Sequence, residues 1–249
     1  MVSGFLTGVA YLVRGFGFWR RRPGVMLLGL VPAVIVFVVM VAALVGLGFG
    51  LVPLVEWLTP FADSWTDPWA AVIRVTIGTV TLGAAVVLAA VTFTALTLAI
   101  GDPFYERIWR AVELDLGGEV PDRGAGFWKA TRDSATLLVL GVLAALVVAV
   151  VGFVPVVGAV AAPVLGVVLS GRLLARELTS RAFEARGLDS DDRRARLRPR
   201  RAQVLGFGVA TQLLFMIPLG AVITMPAAVA GSTMLARAAL DAPAHAVTR

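Results

Sequence analysis

The sequence predicts an all-α protein that crosses a lipid bilayer several times. Three observations carry this: four long tracts without an ionisable side chain, arginines crowded at the ends of those tracts, and proline and glycine together at the centres of two of them. With 59% hydrophobic and 15% charged residues among 249, the chain has too little polar surface to cover such a fold in water. An apolar run of about 20 residues spans, as a helix, a hydrocarbon core about 30 Å thick. The tracts therefore predict a single membrane domain over residues 1–249, polytopic, with two long transmembrane helices, two Pro-tipped helical hairpins and interfacial helices.

Residues 1–24 read as a cytoplasmic or interfacial N-terminus containing Arg14, Arg20, Arg21 and Arg22. Residues 1–22 lack a compact apolar core followed by a cleavage site, so the mature chain is expected to begin at Met1. The first span covers 25–55. An outer loop, 56–74, follows with Glu56, Asp63, Asp67 and one cation, Arg74, and the second span covers 75–101. Segment 102–133 carries Arg107, Arg110, Arg123, Lys129 and Arg132, and segment 172–201 is denser still in arginine. The positive-inside rule puts these two blocks and the N-terminus in the cytoplasm.

Within 102–133 a helix is expected from Pro103 to about Leu116, with Asp102 as its N-cap and Gly117 and Gly118 as its stop. On it Glu106 and Arg110 stand four apart, as do Trp109 and Glu113, giving a charged face and an aromatic one.

The third tract, 134–171, starts and ends beside cytoplasmic blocks, so it must turn back. Its centre contains Gly152, Pro155 and Gly158, where proline removes a backbone donor and glycine permits the reversal. The arms would be about 18 and 15 residues, and the second, roughly 23 Å long, is short for a crossing. The hairpin is therefore expected to re-enter from the cytoplasmic side, two fully spanning kinked helices being the alternative. Its second arm should continue through 172–197 until Pro199 breaks it. The fourth tract, 202–236, repeats the device: Pro218, Gly220 and Pro226 answer Pro155, Gly158 and Pro163, a weak internal repeat of the kind found in transport folds. A polar tail, 237–249, closes the chain.

Several chemistries are disfavoured. Without cysteine there is no disulfide framework, iron–sulfur cluster or thiolate zinc site, and the lone His245 makes no metal site. Glu106, Glu113, Glu177 and Glu184 lack a paired histidine, serine motif or metal-ligand spacing and read as interfacial ion pairing, so neither an enzyme nor a cofactor is expected. No phosphate loop is present, and no carboxylate or histidine relay lies deep in a span, which argues against proton coupling of that type. The net charge of +6 is placed for a membrane, and no nucleic-acid partner is expected.

Three separated stretches resemble the CysZ-like sulfate permeases, grouped with the etoposide-induced-protein membrane family. These are Gly8, Tyr11, Leu12, Gly15 with Arg22, Pro23, Gly24 and Pro32; then Asp102, Pro103, Phe104, Tyr105, Glu106 with Val112 and Glu113; then Phe207, Gly208, Ile217, Pro218 and the run from Met225 through Pro226 to Thr233. The resemblance implies an inner-membrane oligomer with two full spans and hemi-penetrating hairpins that moves sulfate inward for cysteine synthesis. Two departures stand out. Where the family commonly has Pro-Gly-Leu-Arg, with the arginine implicated in anion binding, this chain has Pro23, Gly24, Val25, Met26; the family's acidic, tyrosine-bearing motif after the first hairpin is replaced by residues 177–184.

A divalent oxyanion needs fixed positive charge and free backbone donors. Arg20, Arg21 and Arg22, directly before a helix starting near Pro23 and Gly24, offer both; the same triplet also reads as a topogenic, headgroup-binding anchor. Pro155, Gly158, Gln212, Pro218, Gly220 and Pro226 are candidates for a pathway or for hairpin structure. Thr76, Thr79, Thr92, Thr94 and Thr97 are expected to bond their own helices. The function expected is a permease or channel for sulfate or a related small anion feeding assimilation, with a non-transport membrane organiser or regulatory partner as the alternative.

Overall fold

The computed structural model describes residues 2–117, 120, 127–217 and 219–241. Among the described residues every regular element is helical: α1 (Val2–Arg21), α2 (Pro23–Leu28), α3 (Val31–Leu58), α4 (Asp67–Asp115), α5 (Phe127–Gly152), α6 (Val157–Glu184), α7 (Ser190–Leu197), α8 (Arg201–Phe215) and α9 (Gly220–Leu240), with short 3₁₀ turns at Pro60–Ser64 and Arg198–Arg200. Among the described residues, five runs are long and apolar enough to cross a membrane: Pro23–Leu58, Asp67–Asp115, Ala135–Gly152, Val157–Glu184 and Gly220–Leu240. The chain is an all-α polytopic membrane protein.

The helices form two compact units, Leu30–Asp102 and a second made of Met1–Gly29 with Pro103–Arg249. In the first, α3 and the leading part of α4 present valine, leucine and phenylalanine outward, Phe49 being 85% exposed, as suits a surface solvated by lipid rather than water. Their connection is tied by polar contacts. Arg74 donates to Thr59 Oγ1 at 3.4 Å and pairs with Asp63, while Thr59 Oγ1 donates to the carbonyl of Val55 at 2.7 Å.

The second unit is built by close helix crossings. α1 buries Gly8, Tyr11, Leu12, Gly15 and Phe18, a spacing that places them on one helical face. A Cβ at Gly8 would lie 2.0 Å from the carbonyl oxygen of Gln203 on α8, and one at Gly15 would lie 2.0 Å from that of Ala227 on α9. Only the missing side chains let these backbones meet. α6 and α8 touch in the same way, since a Cβ at Gly208 would stand 2.0 Å from the oxygen of Gly171. α9 is the central element, with Ala227, Ala228, Ala230 and Leu235 wholly buried.

Both expected reversals are present. α5 turns into α6 around Pro155, and α8 turns into α9 at Leu219; Pro218 itself, with Gly118, Arg123 and His245, lies outside the described residues. The internal repeat extends to the backbone: Val156 and Leu219, each following its proline, have φ of 64° and 61° and are the two non-glycine residues with positive φ among those described. At Val156 the N–H of Val157 donates to the carbonyl of Pro155 at 2.7 Å, a three-residue γ-turn of the strained hand. Gly158 and Gly220 then fit beneath the preceding helix, where a Cβ would lie 2.5 Å from the Val151 oxygen and 1.9 Å from the Leu214 oxygen.

Two expectations are corrected. Asp102 is not an N-cap, because α4 runs unbroken through Pro103. An Asp-Pro step looks like a helix start, yet an internal proline deletes only one backbone bond, and helix-forming residues on both sides carry the helix on. Its stop is where expected, with Gly117 at φ 79°. The second arm of the first hairpin continues past the uncharged tract as expected, in an α6 of 28 residues. It does not, however, reach Leu197. Gly187 at φ 73° ends it, and a capping box between Asp189 and Asp192 starts α7 afresh.

Candidate functional site

Charged side chains converge at the C-terminal end of α4. Arg20 and Arg21 occupy the last turn of α1, where cations complement the exposed carbonyl ends of the helix. Arg21 and Arg22 approach Asp115 at 3.8 and 3.5 Å, with their side chains 73% and 58% exposed. Two positions earlier on α4, Glu113 is completely buried. Arg186 grips it with Nη1 donating to Oε1 at 3.0 Å and Nη2 to Oε2 at 2.8 Å, and Arg237 Nε lies 3.7 Å from Oε2. Arg186 Nη1 also donates to the carbonyl of Ala182 at 2.6 Å. Two pairs of arginines thus each face one carboxylate, the pair at Asp115 open to the surroundings and the pair at Glu113 enclosed, on different faces of α4 because residues two apart on a helix do not face the same way.

The face of α4 leading to Glu113 is buried as well. Tyr105, Trp109 and Glu113 recur every four residues and face inward. Tyr105 Oη, Trp109 Nε1 and Arg237 Nε are enclosed without a hydrogen-bond acceptor. On the same helix Glu106 accepts from Arg110 Nη2 at 2.7 Å on an exposed flank, the interfacial pairing the spacing predicts, while Phe104 carries Arg107 over its ring at 6.0 Å.

Residues 11–226 match the family described as sulfate transporter CysZ/etoposide-induced protein 2.4. The chain belongs to this family. Membership points to a sulfate-transporter-like membrane function. The CysZ-like motif residues now have physical roles: Gly8, Tyr11, Leu12 and Gly15 form the buried face of α1, and Phe207, Gly208 and the run from Pro226 to Thr233 form the core of α8 and α9. Met26, standing where CysZ-like chains commonly carry arginine, is fully buried and serves packing.

The other candidate residues are scattered. Gly24 is exposed, with open space beyond its Cα, on an α2 of only six residues; so short a helix has little dipole, and positive charge there is that of the arginines. Pro155 is exposed at its hairpin tip, and Gln212 is half-buried on α8. Thr76 and Thr79 donate to Val72 and Val75 carbonyls at 2.8 Å, as threonines in a span commonly do. Thr97 is buried with Oγ1 unpartnered. Reading Glu113 as interfacial missed its burial, and Arg186, Arg237 and Asp115 were not singled out. One signal existed, because Arg237 is the first charge after the motif-rich fourth tract.

Proposed function

We propose that the chain is a permease or channel for sulfate or a related small anion in the cytoplasmic membrane, with Arg20, Arg21 and Arg22 as the cytoplasmic mouth. The observation that carries this reading is the pair of exposed guanidinium groups, Arg21 and Arg22, held loosely beside Asp115, in a chain of the CysZ family. Guanidinium forks match the oxygens of a tetrahedral oxyanion. Tracts 25–55, 75–101 and 134–171 contain no ionisable side chain, which suits a facilitative path. In this reading both termini are cytoplasmic, α3 and α4 span fully, the two hairpins re-enter from the cytoplasmic side, and copies assemble as a homo-oligomer.

The test is sulfate flux into liposomes containing the purified chain, compared with a variant in which Arg20, Arg21 and Arg22 are all glutamine. Flux should fall at least about tenfold, the loss of one or more charge-assisted contacts. Unchanged flux discards the mouth; no flux from folded wild type discards the permease. Burial of Met26 favours a second reading, a membrane organiser that has lost anion binding. A deletion strain would then keep normal sulfate uptake.

A further inference from the structure

The connection between α3 and α4 carries a cluster of exposed aromatic rings. Trp57, Phe61, Trp65 and Trp69 are all open, Trp57 at 75% and Trp69 at 67%. Phe61 and Trp65 meet edge to face, their centroids 5.8 Å apart. The backbone that carries them is clasped: Pro60–Ser64 forms a 3₁₀ turn over a buried Ala62, and Arg74 reaches back to Asp63 and to Thr59. The rings are thus displayed by a fixed turn.

A patch of large exposed aromatic side chains marks a surface that something covers. Two observations point to the headgroup boundary of a bilayer as the cover. The patch continues the outward-facing apolar surface of α3 and the start of α4, and it lies where the uncharged runs meet their first charges, Glu56 and Arg74. Tryptophan suits that level, because its ring system is apolar and its N–H is not. Segment 56–74 sets Glu56, Asp63 and Asp67 against Arg74 alone, so attraction to anionic lipid is not what holds it there.

Such an anchor fixes the level of the helices it joins. About 20 helical residues cross the hydrocarbon, yet the uncharged parts of α3 and α4, 31–55 and 75–101, are longer, so either helix could slide by a turn or more. α3 buries Pro32, Ala33 and Val36, and then Val55; the open stretch between Val36 and Val55 is about one hydrocarbon core long. We infer that Trp57, Phe61, Trp65 and Trp69 seat the α3–α4 turn in the headgroup region of the bilayer, which places hydrocarbon at about residues 36–55 of α3 and 75–94 of α4. The inference holds for either orientation of the chain and does not need the permease reading.

The experiment uses the full chain in phosphatidylcholine nanodiscs, where both faces are open to solution. Lipids brominated near the headgroup or near the chain end quench tryptophan by contact and so report its depth. Trp57, Trp65 and Trp69 are three of the six tryptophans, and the emission lost on combining Trp57→Phe, Trp65→Phe and Trp69→Phe isolates them. That emission should be quenched at least about twofold more by shallow bromine than by deep bromine, and little by aqueous iodide. A second arm keeps all six tryptophans and uses the lack of native cysteine. Val34→Cys and Val52→Cys, both at exposed positions, are made singly and treated with a water-soluble maleimide. Val34→Cys should label severalfold faster than Val52→Cys, and the two should label alike once the chain is unfolded in detergent. Strong iodide quenching of the isolated emission, deep bromine acting as well as shallow, or faster labelling of Val52→Cys would overturn the inference. Emission shielded from bromine and iodide alike would overturn it too, because a second copy of the chain would then cover the rings.

Discussion

Arg186 closes on Glu113 as a two-pronged clamp, 73 positions away in sequence, with bonds of 3.0 and 2.8 Å. Glu113 is wholly enclosed and Arg186 nearly so, at 0% and 17% exposure. Removing the carboxylate would leave Arg186 and Arg237 charged, confined and unpaired.

Glu113→Gln is therefore expected to lower stability by about 3–5 kcal/mol, the usual loss when one partner of a buried pair is removed. Thermal unfolding of the detergent-solubilised chain measures this. Adding Arg186→Met to the same chain should bring a smaller further loss than Arg186→Met alone, because the two share one interaction. Equal, additive losses would mean that the clamp carries no coupling.

At the α6–α8 crossing, Gly171→Ala would place a methyl group 2.8 Å from the Gly208 backbone. A loss of about 1–3 kcal/mol is expected from overpacking. Gly48→Ala, with nothing within 4 Å of its Cβ, should gain up to about 1 kcal/mol from helix propensity. Opposite signs in paired melts would establish that the first glycine is there for helix contact.

At the hairpin tips, Val156 and Leu219 hold φ of 64° and 61°, which glycine adopts without steric conflict. Val156→Gly should stabilise the chain by about 1 kcal/mol, strain relief being offset in part by the greater flexibility of unfolded glycine. Leu219→Gly should behave alike, and Gly117→Ala, at φ 79°, should do the reverse. Denaturant midpoints that fall for both tip variants would contradict the repeat.

Asp115 lies beside Arg21 and Arg22 at 3.8 and 3.5 Å. Its contacts are long, and the arginines are largely exposed, so Asp115→Asn should change stability by less than about 1 kcal/mol. In the transport reading it should lower the apparent KM for sulfate, an effect that weakens as salt rises. A KM that increases would mean that Asp115 orients the arginines.

Much of the architecture was legible along the chain. The four uncharged tracts, Pro155 at its reversal, the Gly117 stop and the Glu106–Arg110 pair each depend on residues a few positions apart. Asp102 misled because a local helix-start signal was outweighed by the helix on both sides of it. The packing role of α1 was visible in the spacing of Gly8, Tyr11, Leu12, Gly15 and Phe18, obscured by the arginines that follow. Local spacing, by contrast, sets Glu113 on the face of Trp109 and Glu106 on the charged one, but does not tell that the first is buried against Arg186 and Arg237 while the second stays exposed.

Hydropathy and the order of charges are sums over neighbouring residues, so they suffice to make lipid the solvent and helix the only economical backbone here. Which arginine meets which carboxylate, and which glycines let two helices touch, depends on pairings between distant segments. Those pairings exist only once α1, α6, α8 and α9 pack together, because burial and ion-pair geometry belong to contacts and not to single residues.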